Sequence, residues 1–373
     1  MAAEHSEIVS LFLELVSLRS PPGEERDVAD AVLRYLGGLG LQPDEDDAGL
    51  QLGTTTGNIY ARLEPTAPGT PLFFCAHLDT VPPSGPLEPV VEDGVVRNAG
   101  GTILGADNKA AVVAMLEGVR RVLAENRRHA GIELVFTPQE EIGLKGAAAF
   151  EHERLHAEVG YVYDQAGPIG EIILGAPWAQ ALDITFHGRA SHAGMFPDEG
   201  RSAIQAAAKA IADLRLGRVD EETTANVGVI TGGSAVNIVP EWCTFRAEAR
   251  SHDERKLTEL VQEMLDACSF AATATECEVE TELHKNYSGY RLRRDEEAVA
   301  LAARALERCR WQPSYALSGG AADANVFNER GRRCVNLANG MTDIHTPNER
   351  IATADLEAMV EVTLALIEEA RAT

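Results

Sequence analysis

Apolar residues in the first half of the chain form continuous runs separated by segments with helical spacing. The runs at residues 71–76, 132–137 and 159–163 do not alternate with polar positions, which is typical of strands buried on both faces. Between the first two runs, apolar residues recur at helical spacing from Val112 to Leu123. A strand, a helix and a second strand in this order predict an α/β fold, with a mixed, mainly parallel sheet and helices on both of its faces.

The pattern changes near residue 176. Residues 181–186 alternate, residues 202–214 form an alanine-rich helical segment, and residues 226–231 and 276–283 are strand-like. A helix is also predicted near residues 255–268. After Asn286 the first pattern returns, with a buried strand at 333–337 and a last helix at about 353–370. We therefore predict a catalytic domain of residues 1–175 and 286–373, interrupted by a smaller α+β domain of residues 176–285.

Composition excludes several classes of protein. The chain has 373 residues, of which 45% are hydrophobic and 24% charged, as in ordinary globular proteins. Its formal net charge of -25 opposes binding to nucleic acid or to an anionic membrane surface. The first residues lack the basic start of a signal peptide, and no run approaches the roughly 20 apolar residues of a membrane-spanning helix. We expect a soluble, cytoplasmic protein.

The six cysteines are scattered and form no C-x-x-C pair. A structural zinc knuckle is therefore not expected, and isolated cysteines within apolar runs suit a reducing compartment.

Residues that bind metals follow the predicted strands. In open α/β sheets, ligands bind beyond the carboxyl ends of the strands, where the loops converge. The candidates at these positions are His77, Asp79, Glu140, Glu141, Asp164 and His345. Asp107 precedes the helix that follows the first strand, and we expect it to reach the same crevice. Histidines mixed with carboxylates suit zinc, cobalt or manganese better than magnesium or calcium, and a carboxylate can bridge two cations.

Each candidate also has a purely structural interpretation. A buried His77 beside Asp79 is usually a satisfied polar pair, and adjacent glutamates such as Glu140 and Glu141 often open a helix on the protein surface. Four strand ends that all carry such groups favour a metal site over these separate explanations.

The same residues occur in segments that resemble a known family. These segments are Ala76-His77-Leu78-Asp79, Gly105-Ala106-Asp107-Asn108-Lys109, Gln139-Glu140-Glu141-Ile142-Gly143, Ser191-His192-Ala193-Gly194, Val236-Asn237-Ile238, Ser318-Gly319-Gly320 with Asp323-Ala324-Asn325, and Ile344-His345-Thr346. In this order they resemble the M20 family of metallopeptidases, and most closely its peptidase T-like branch. The resemblance extends over nearly the whole chain.

The resemblance implies a role for each candidate. His77 and Asp164 would hold one metal ion, Glu141 and His345 the other, and Asp107 would bridge them. Glu140 would be the general base, and Asp79 would orient the ring of His77. The implied cofactors are two divalent metal ions, with zinc expected and cobalt or manganese as alternatives.

The inserted domain resembles the lid of this family, which often forms the dimer contact. By this resemblance His192 would stabilise the developing oxyanion, and Asn237 and Arg250 would bind the polar end of the substrate. Without the resemblance, His192 is simply a surface histidine in a turn and Arg250 a strand residue in a salt bridge.

The function implied is an aminopeptidase that acts on short peptides, as tripeptidases do. A carboxypeptidase, a dipeptidase or a deacylase of N-acyl amino acids would use the same metal core. A protein that binds metal or peptide without catalysis is the alternative from another class. Asn108, Ala111, Ala321 and Ala322 depart from the family pattern, and the last two leave substrate specificity open.

Overall fold

The computed structural model describes residues 5–371. The α-helices are α1 (Glu7–Val16), α2 (Arg26–Gly38), α3 (Ala48–Leu52), α4 (Ala106–Ala124), α5 (Lys145–Ala149), α6 (Ala203–Asp213), α7 (Glu254–Thr275), α8 (Glu297–Arg308), α9 (Asp323–Glu329) and α10 (Thr353–Arg371). Two 3-10 turns occur at His152–Arg154 and Pro197–Glu199.

The strands are β1 (Asp44–Glu45), β2 (Ile59–Leu63), β3 (Leu72–His77), β4 (Pro89–Glu92), β5 (Val95–Asn98), β6 (Ile132–Thr137), β7 (Val159–Gln165), β8 (Glu171–Ile173), β9 (Gly175–Ala176), β10 (Trp178–His187), β11 (Gly217–Arg218), β12 (Thr223–Gly232), β13 (Trp242–Ser251), β14 (Glu278–Tyr287), β15 (Tyr290–Arg291), β16 (Ser314–Ala316), β17 (Arg333–Ala338) and β18 (Arg350–Ala352).

The described chain divides into two compact units. One contains the chain up to Ala176 and again from Arg291, and the other is Pro177–Tyr290. Within residues 5–371, no helix is long and apolar enough to cross a membrane. All six cysteines are free.

The first unit is built on an eight-stranded mixed sheet in the order β1-β2-β6-β3-β7-β17-β8-β16. Its central strands β6, β3, β7 and β17 are parallel to one another, whereas β2 pairs with β6 and β8 with β17 in the antiparallel sense. The predicted fold class is confirmed. The parallel centre directs the carboxyl ends of four strands to one edge of the sheet.

Burial explains why the central strands are continuous apolar runs. Every residue of β3 and of β6 is buried, so both faces of the sheet are covered there. Helix α4 packs against β3 and β7, and α10 packs against α4. Nearly every residue of α4 up to Val119 is buried, which places its first turn, with Asp107, inside the protein. Regular helical geometry begins only after Asp107 and Asn108.

The second unit contains a five-stranded antiparallel sheet in the order β11-β12-β13-β10-β14. Residues of β10 and β13 alternate between buried and accessible positions because α6 and α7 pack against the sheet. Phe186 and Phe245 lie at the centre of this separate core, with their ring centroids 6.3 Å apart.

Candidate metal centre

Five predicted ligands converge at the carboxyl edge of the large sheet. His77 is the last residue of β3, Asp164 lies near the end of β7, and Asp107 lies in the first turn of α4. Glu141 follows β6, and His345 lies in the loop between β17 and β18. Two strands, β3 and β7, thus carry two of the predicted ligands, and two loops and the start of α4 carry the other three.

The carboxylate of Asp107 lies between the two histidines. Its Oδ1 is 3.2 Å from Nε2 of His77, and its Oδ2 is 3.1 Å from Nε2 of His345. Asp164 Oδ1 is 3.6 Å from the same nitrogen of His77, and Glu141 Oε1 is 3.1 Å from that of His345. The arrangement therefore forms two groups that share Asp107.

Both groups have the size and chemistry of a cation site. In His77, Asp107 and Asp164, and again in Asp107, Glu141 and His345, one ligand atom from each residue lies within 4.8 Å of the others. Imidazole nitrogen with carboxylate oxygen is the donor set that zinc and related divalent ions accept. The residues present therefore fit a two-metal site.

The charges of the cluster lead to the same conclusion. Burial opposes a positive charge on His77, but hydrogen bonds with Asp107 and Asp164 outweigh it and raise the pKa of His77 well above its usual value. The pKa of His345 is raised to about 10, mainly because its ring is hydrogen-bonded to Asp107. Burial, together with the charge of Asp107, raises the pKa of Asp164 to about 7. The negative charge of the cluster thus favours proton binding, and divalent cations bound there would balance the same charge.

Asp79 contacts predicted ligands with both its main chain and its carboxylate. Its main-chain carbonyl lies 2.8 Å from Nδ1 of His77, closer than its carboxylate oxygen at 3.5 Å. The carboxylate instead accepts the main-chain N–H groups of Glu140 at 2.9 Å and Glu141 at 3.1 Å. Asp79 thus lies beside His77, and its main chain makes the shorter contact with the ring.

Glu140 lies beside the predicted ligands and belongs to neither of the two groups that share Asp107. Ligand atoms of His77, Glu140 and Glu141 also lie within 4.8 Å of one another. Burial raises the pKa of Glu140 well above its usual value, although the nearby His77 opposes the shift. A carboxyl group with a raised pKa suits proton transfer at neutral pH.

Two buried acids that sequence reasoning left without a role support the site. Glu349 accepts the main-chain N–H groups of Leu104, Gly105 and Asp107. Asp323, in a segment that carried the family resemblance, accepts the hydroxyl of Thr137 at 2.5 Å, at the end of β6. No spacing pattern identifies such residues, because their partners are distant in the sequence.

The three remaining candidates lie in the second unit. His192 is exposed, and its Nδ1 accepts the main-chain N–H groups of Gly194 and Met195 at 3.2 and 3.1 Å. Asn237 is exposed and lies near His192, because its carbonyl accepts the main-chain N–H of Ala193 at 3.0 Å.

The hydrogen bonds to Nδ1 place the proton of the neutral His192 ring on Nε2, where it is available to another acceptor. Arg250, which is half-buried in β13, pairs with Glu248 at 3.1 Å.

Comparison with known proteins identifies the family. Residues 73–369 match the family described as Peptidase family M20/M25/M40. The chain belongs to the M20 family of peptidases. This confirms the family predicted from the segments around His77, Asp107 and Glu140, and it shows that the protein is an enzyme of the peptidase class.

This M20 peptidase is similar to two solved structures along almost its whole length. Aminopeptidase PepT from Bacillus cereus is 38% identical, with 98% of each chain covered and a TM-score of 0.92. A tripeptidase from Staphylococcus aureus is 34% identical, with the same coverage and a TM-score of 0.95. The YqjE protein of Bacillus subtilis is 38% identical over 96% of this chain and 97% of its own length.

Proposed function

We propose that this M20 peptidase is an aminopeptidase that uses two divalent metal ions to cleave short peptides, with tripeptides as the preferred substrates. The observation that carries the proposal is the position of Asp107, whose two carboxylate oxygens face two different histidines. Support for the substrate class comes from the similarity to an aminopeptidase and a tripeptidase over 98% of their chains.

The proposed ligand sets follow the two groups of donor atoms. His77 and Asp164 would hold one ion, Glu141 and His345 would hold the other, and Asp107 would be shared by both. Zinc is the expected metal because two imidazole nitrogens accompany the carboxylates, and cobalt and manganese accept the same donors. When bound, the two ions supply Lewis-acid polarisation of the scissile carbonyl and favour deprotonation of water.

The protein groups then move the proton and hold the substrate. Glu140 accepts a proton from the attacking water and donates it to the amine that leaves. The carboxylate of Asp79 accepts the main-chain N–H of Glu140 and so keeps Glu140 in place. We assign His192 to stabilise the developing oxyanion through the proton on Nε2, and Asn237 and Arg250 to bind the polar end of the peptide.

We further propose that the unit Pro177–Tyr290 acts as the lid and forms a homodimer contact. This unit exposes large apolar side chains on its strands, including Val229 at 51% and Ile230 at 53%. Light scattering of the whole protein tests the contact, and a monomer mass at micromolar concentration would contradict it.

The test of the function compares wild-type protein with Glu140→Gln. Both are loaded with zinc, and release of free amino groups is followed on tripeptides, dipeptides and N-acyl amino acids. We expect the wild type to release the N-terminal residue of tripeptides. Glu140→Gln should bind the same two ions and lose at least about 100-fold in kcat, the lower end of the contribution of a general base.

Other outcomes lead to other functions. Release of the C-terminal residue indicates a carboxypeptidase, and preference for N-acyl amino acids indicates a deacylase. Failure of the metal-loaded wild type to cleave any member of the panel favours a protein that binds metal or peptide without catalysis. Fewer than two ions per chain would overturn the dinuclear site itself.

A further inference from the structure

The carboxylate of Glu349 is buried and accepts three main-chain amides near the proposed bridging ligand. Its Oε2 accepts the N–H groups of Leu104 at 2.8 Å and Gly105 at 2.9 Å, and its Oε1 accepts that of Asp107 at 3.0 Å. Glu349 itself is 2% exposed. A buried carboxylate with three donors holds the segment 104–107 firmly, because each of these bonds would be costly to lose.

Glu349 belongs to the same short loop as His345. The hydroxyl of Thr346 makes two hydrogen bonds within this loop. It donates to the carbonyl of Asp343 at 2.6 Å and accepts the main-chain N–H of Asn348 at 3.2 Å. The main-chain N–H of Glu349 also donates to the carbonyl of Thr346 at 3.1 Å. The loop is therefore a bonded unit with His345 near one end and Glu349 near the other.

The side chain of His345 needs such support more than the other histidine does. Its side chain is 46% exposed, whereas that of His77 is 1% exposed and follows directly from a central strand. Glu349 is the first buried residue after His345 in this loop. Because its carboxylate accepts the main-chain N–H of Asp107, Glu349 connects the loop of His345 to the proposed bridging ligand.

We infer that Glu349 is a positioning residue that sets the distance between Asp107 and His345. It thereby sets the affinity for the second metal ion, which is the ion proposed to bind Glu141 and His345. This inference rests on the proposed two-metal function. The first position retains His77 and Asp164, which are held by β3 and β7. Loss of the Glu349 contacts should therefore weaken binding of the second ion far more than binding of the first.

Glu349→Gln is the sharpest variant because it keeps the size of the side chain. A glutamine can place its oxygen toward Leu104 and Gly105, but its NH2 group then faces the N–H of Asp107. Two donors would meet, and the amide of Asp107 would lose its acceptor. Substitution of groups that orient metal ligands typically lowers metal affinity about 10 to 100-fold.

The control is Glu133→Gln. Glu133 is also 2% exposed and accepts main-chain amides, those of His156 at 3.0 Å and Ala157 at 2.7 Å, but it lies near the start of β6 rather than at the metal-binding end. This variant reproduces the loss of a buried carboxylate without touching the segment of Asp107.

The experiment titrates metal-free full-length protein with Co²⁺ and Zn²⁺, using calorimetry and the visible spectrum of cobalt. We expect wild type and Glu133→Gln to bind two ions. We expect Glu349→Gln to bind the first ion within about threefold of wild type and the second about 10 to 100-fold more weakly. Its activity should recover when the metal concentration is raised, with little change in KM.

Several results would overturn the inference. One is that Glu349→Gln binds both ions as tightly as wild type does. Another is that it loses both ions equally, together with a large drop in the unfolding temperature of the metal-free protein. If Glu349→Gln does not fold, Glu349→Asp is titrated instead, because its shorter carboxylate cannot reach all three amides. Failure of both variants to fold would identify Glu349 as a general structural residue. Fewer than two ions in the wild type would overturn the proposed function as well.

Discussion

The carboxylate of Asp79 accepts the main-chain N–H of Glu140 at 2.9 Å. Its second oxygen accepts the N–H of Glu141 at 3.1 Å, and its carbonyl lies 2.8 Å from Nδ1 of His77. One residue therefore orients a histidine with its main chain and the two glutamates with its side chain. The contact links the proposed general base to the proposed ligands of both metal positions.

Asp79→Asn should impair turnover more than substrate binding. The amide NH2 of asparagine would face one of the two main-chain N–H groups, so the turn that carries Glu140 would shift. We expect kcat to fall about 10 to 100-fold, as for other groups that support metal ligands, with a smaller change in KM. Steady-state kinetics at saturating zinc measures both parameters.

Asp46→Asn is the matched control for this substitution. Asp46 also accepts main-chain amides, those of Ala48 at 3.0 Å and Asn58 at 2.8 Å, but it contacts none of the proposed ligands. Its kcat should stay within about twofold of wild type, because a turn remote from the ligands is not expected to alter their geometry. Equal kcat values for Asp79→Asn and wild type would refute the supporting role of Asp79.

Removal of metal should lower the unfolding temperature. Without cations, the carboxylates of Asp107, Asp164 and Glu141 are held close together, and their repulsion opposes folding. Ligands that bind only the folded state stabilise it, by about 2.7 kcal/mol at a concentration 100 times Kd. Differential scanning fluorimetry with a chelator, followed by added zinc, measures the loss and its recovery. In His77→Gln the response to zinc should be much smaller, and an undiminished response would place the metal elsewhere.

His152 should make the protein less stable in mild acid. Its ring is buried against Phe150 and Phe327, with centroids 5.6 and 5.2 Å away, and its Nε2 donates to the carbonyl of Ala147 at 3.0 Å. Burial is the main cause that lowers the pKa of His152, and Arg330 and Arg332 add to the shift, whereas the hydrogen bond to Ala147 and the charge of Glu153 oppose it.

The sign of this effect follows from proton uptake. Above the unfolded pKa of about 6.5, both states have a neutral ring, and His152 adds no pH dependence. As the pH falls below this value, the unfolded chain binds a proton that the folded protein resists, so the free energy of unfolding decreases by up to about 1.4 kcal/mol per pH unit. Urea unfolding at pH 7.5 and 5.5 compares wild type with His152→Phe. The difference between the two pH values should be smaller in the variant, and an equal difference would exclude the histidine as the cause.

The fold was predictable because its central strands have a strong signal. The run predicted at residues 132–137 is β6, from Ile132 to Thr137, and the run at 333–337 is β17, which extends to Ala338. Apart from Arg333, every residue of both strands is buried, and most of these residues are apolar. By contrast, β4 and β5 form a short hairpin whose residues are partly accessible, and their mixed pattern did not predict strands.

The site was predictable to the extent that its residues end strands. His77 and Asp164 follow from the sequence pattern, because a strand fixes the direction in which its end points. The supporting contacts of Asp79 and Glu349 were not predictable, since each depends on main-chain amides. Glu349 accepts the main-chain N–H of Asp107, from which it is separated by 242 positions in the sequence. Because the donor is a main-chain group, no residue type at position 107 would reveal that contact.

The chain leaves and re-enters the first unit at neighbouring points. The main-chain N–H of Leu292 donates to the carbonyl of Leu174 at 2.7 Å, and both residues flank the segment Pro177–Tyr290. A short loop joining these two points would close the first unit with all five proposed metal ligands still on it. The second unit is thus inserted between two neighbouring points of the first, so its length can differ without changing the path of the segments that carry the five proposed metal ligands.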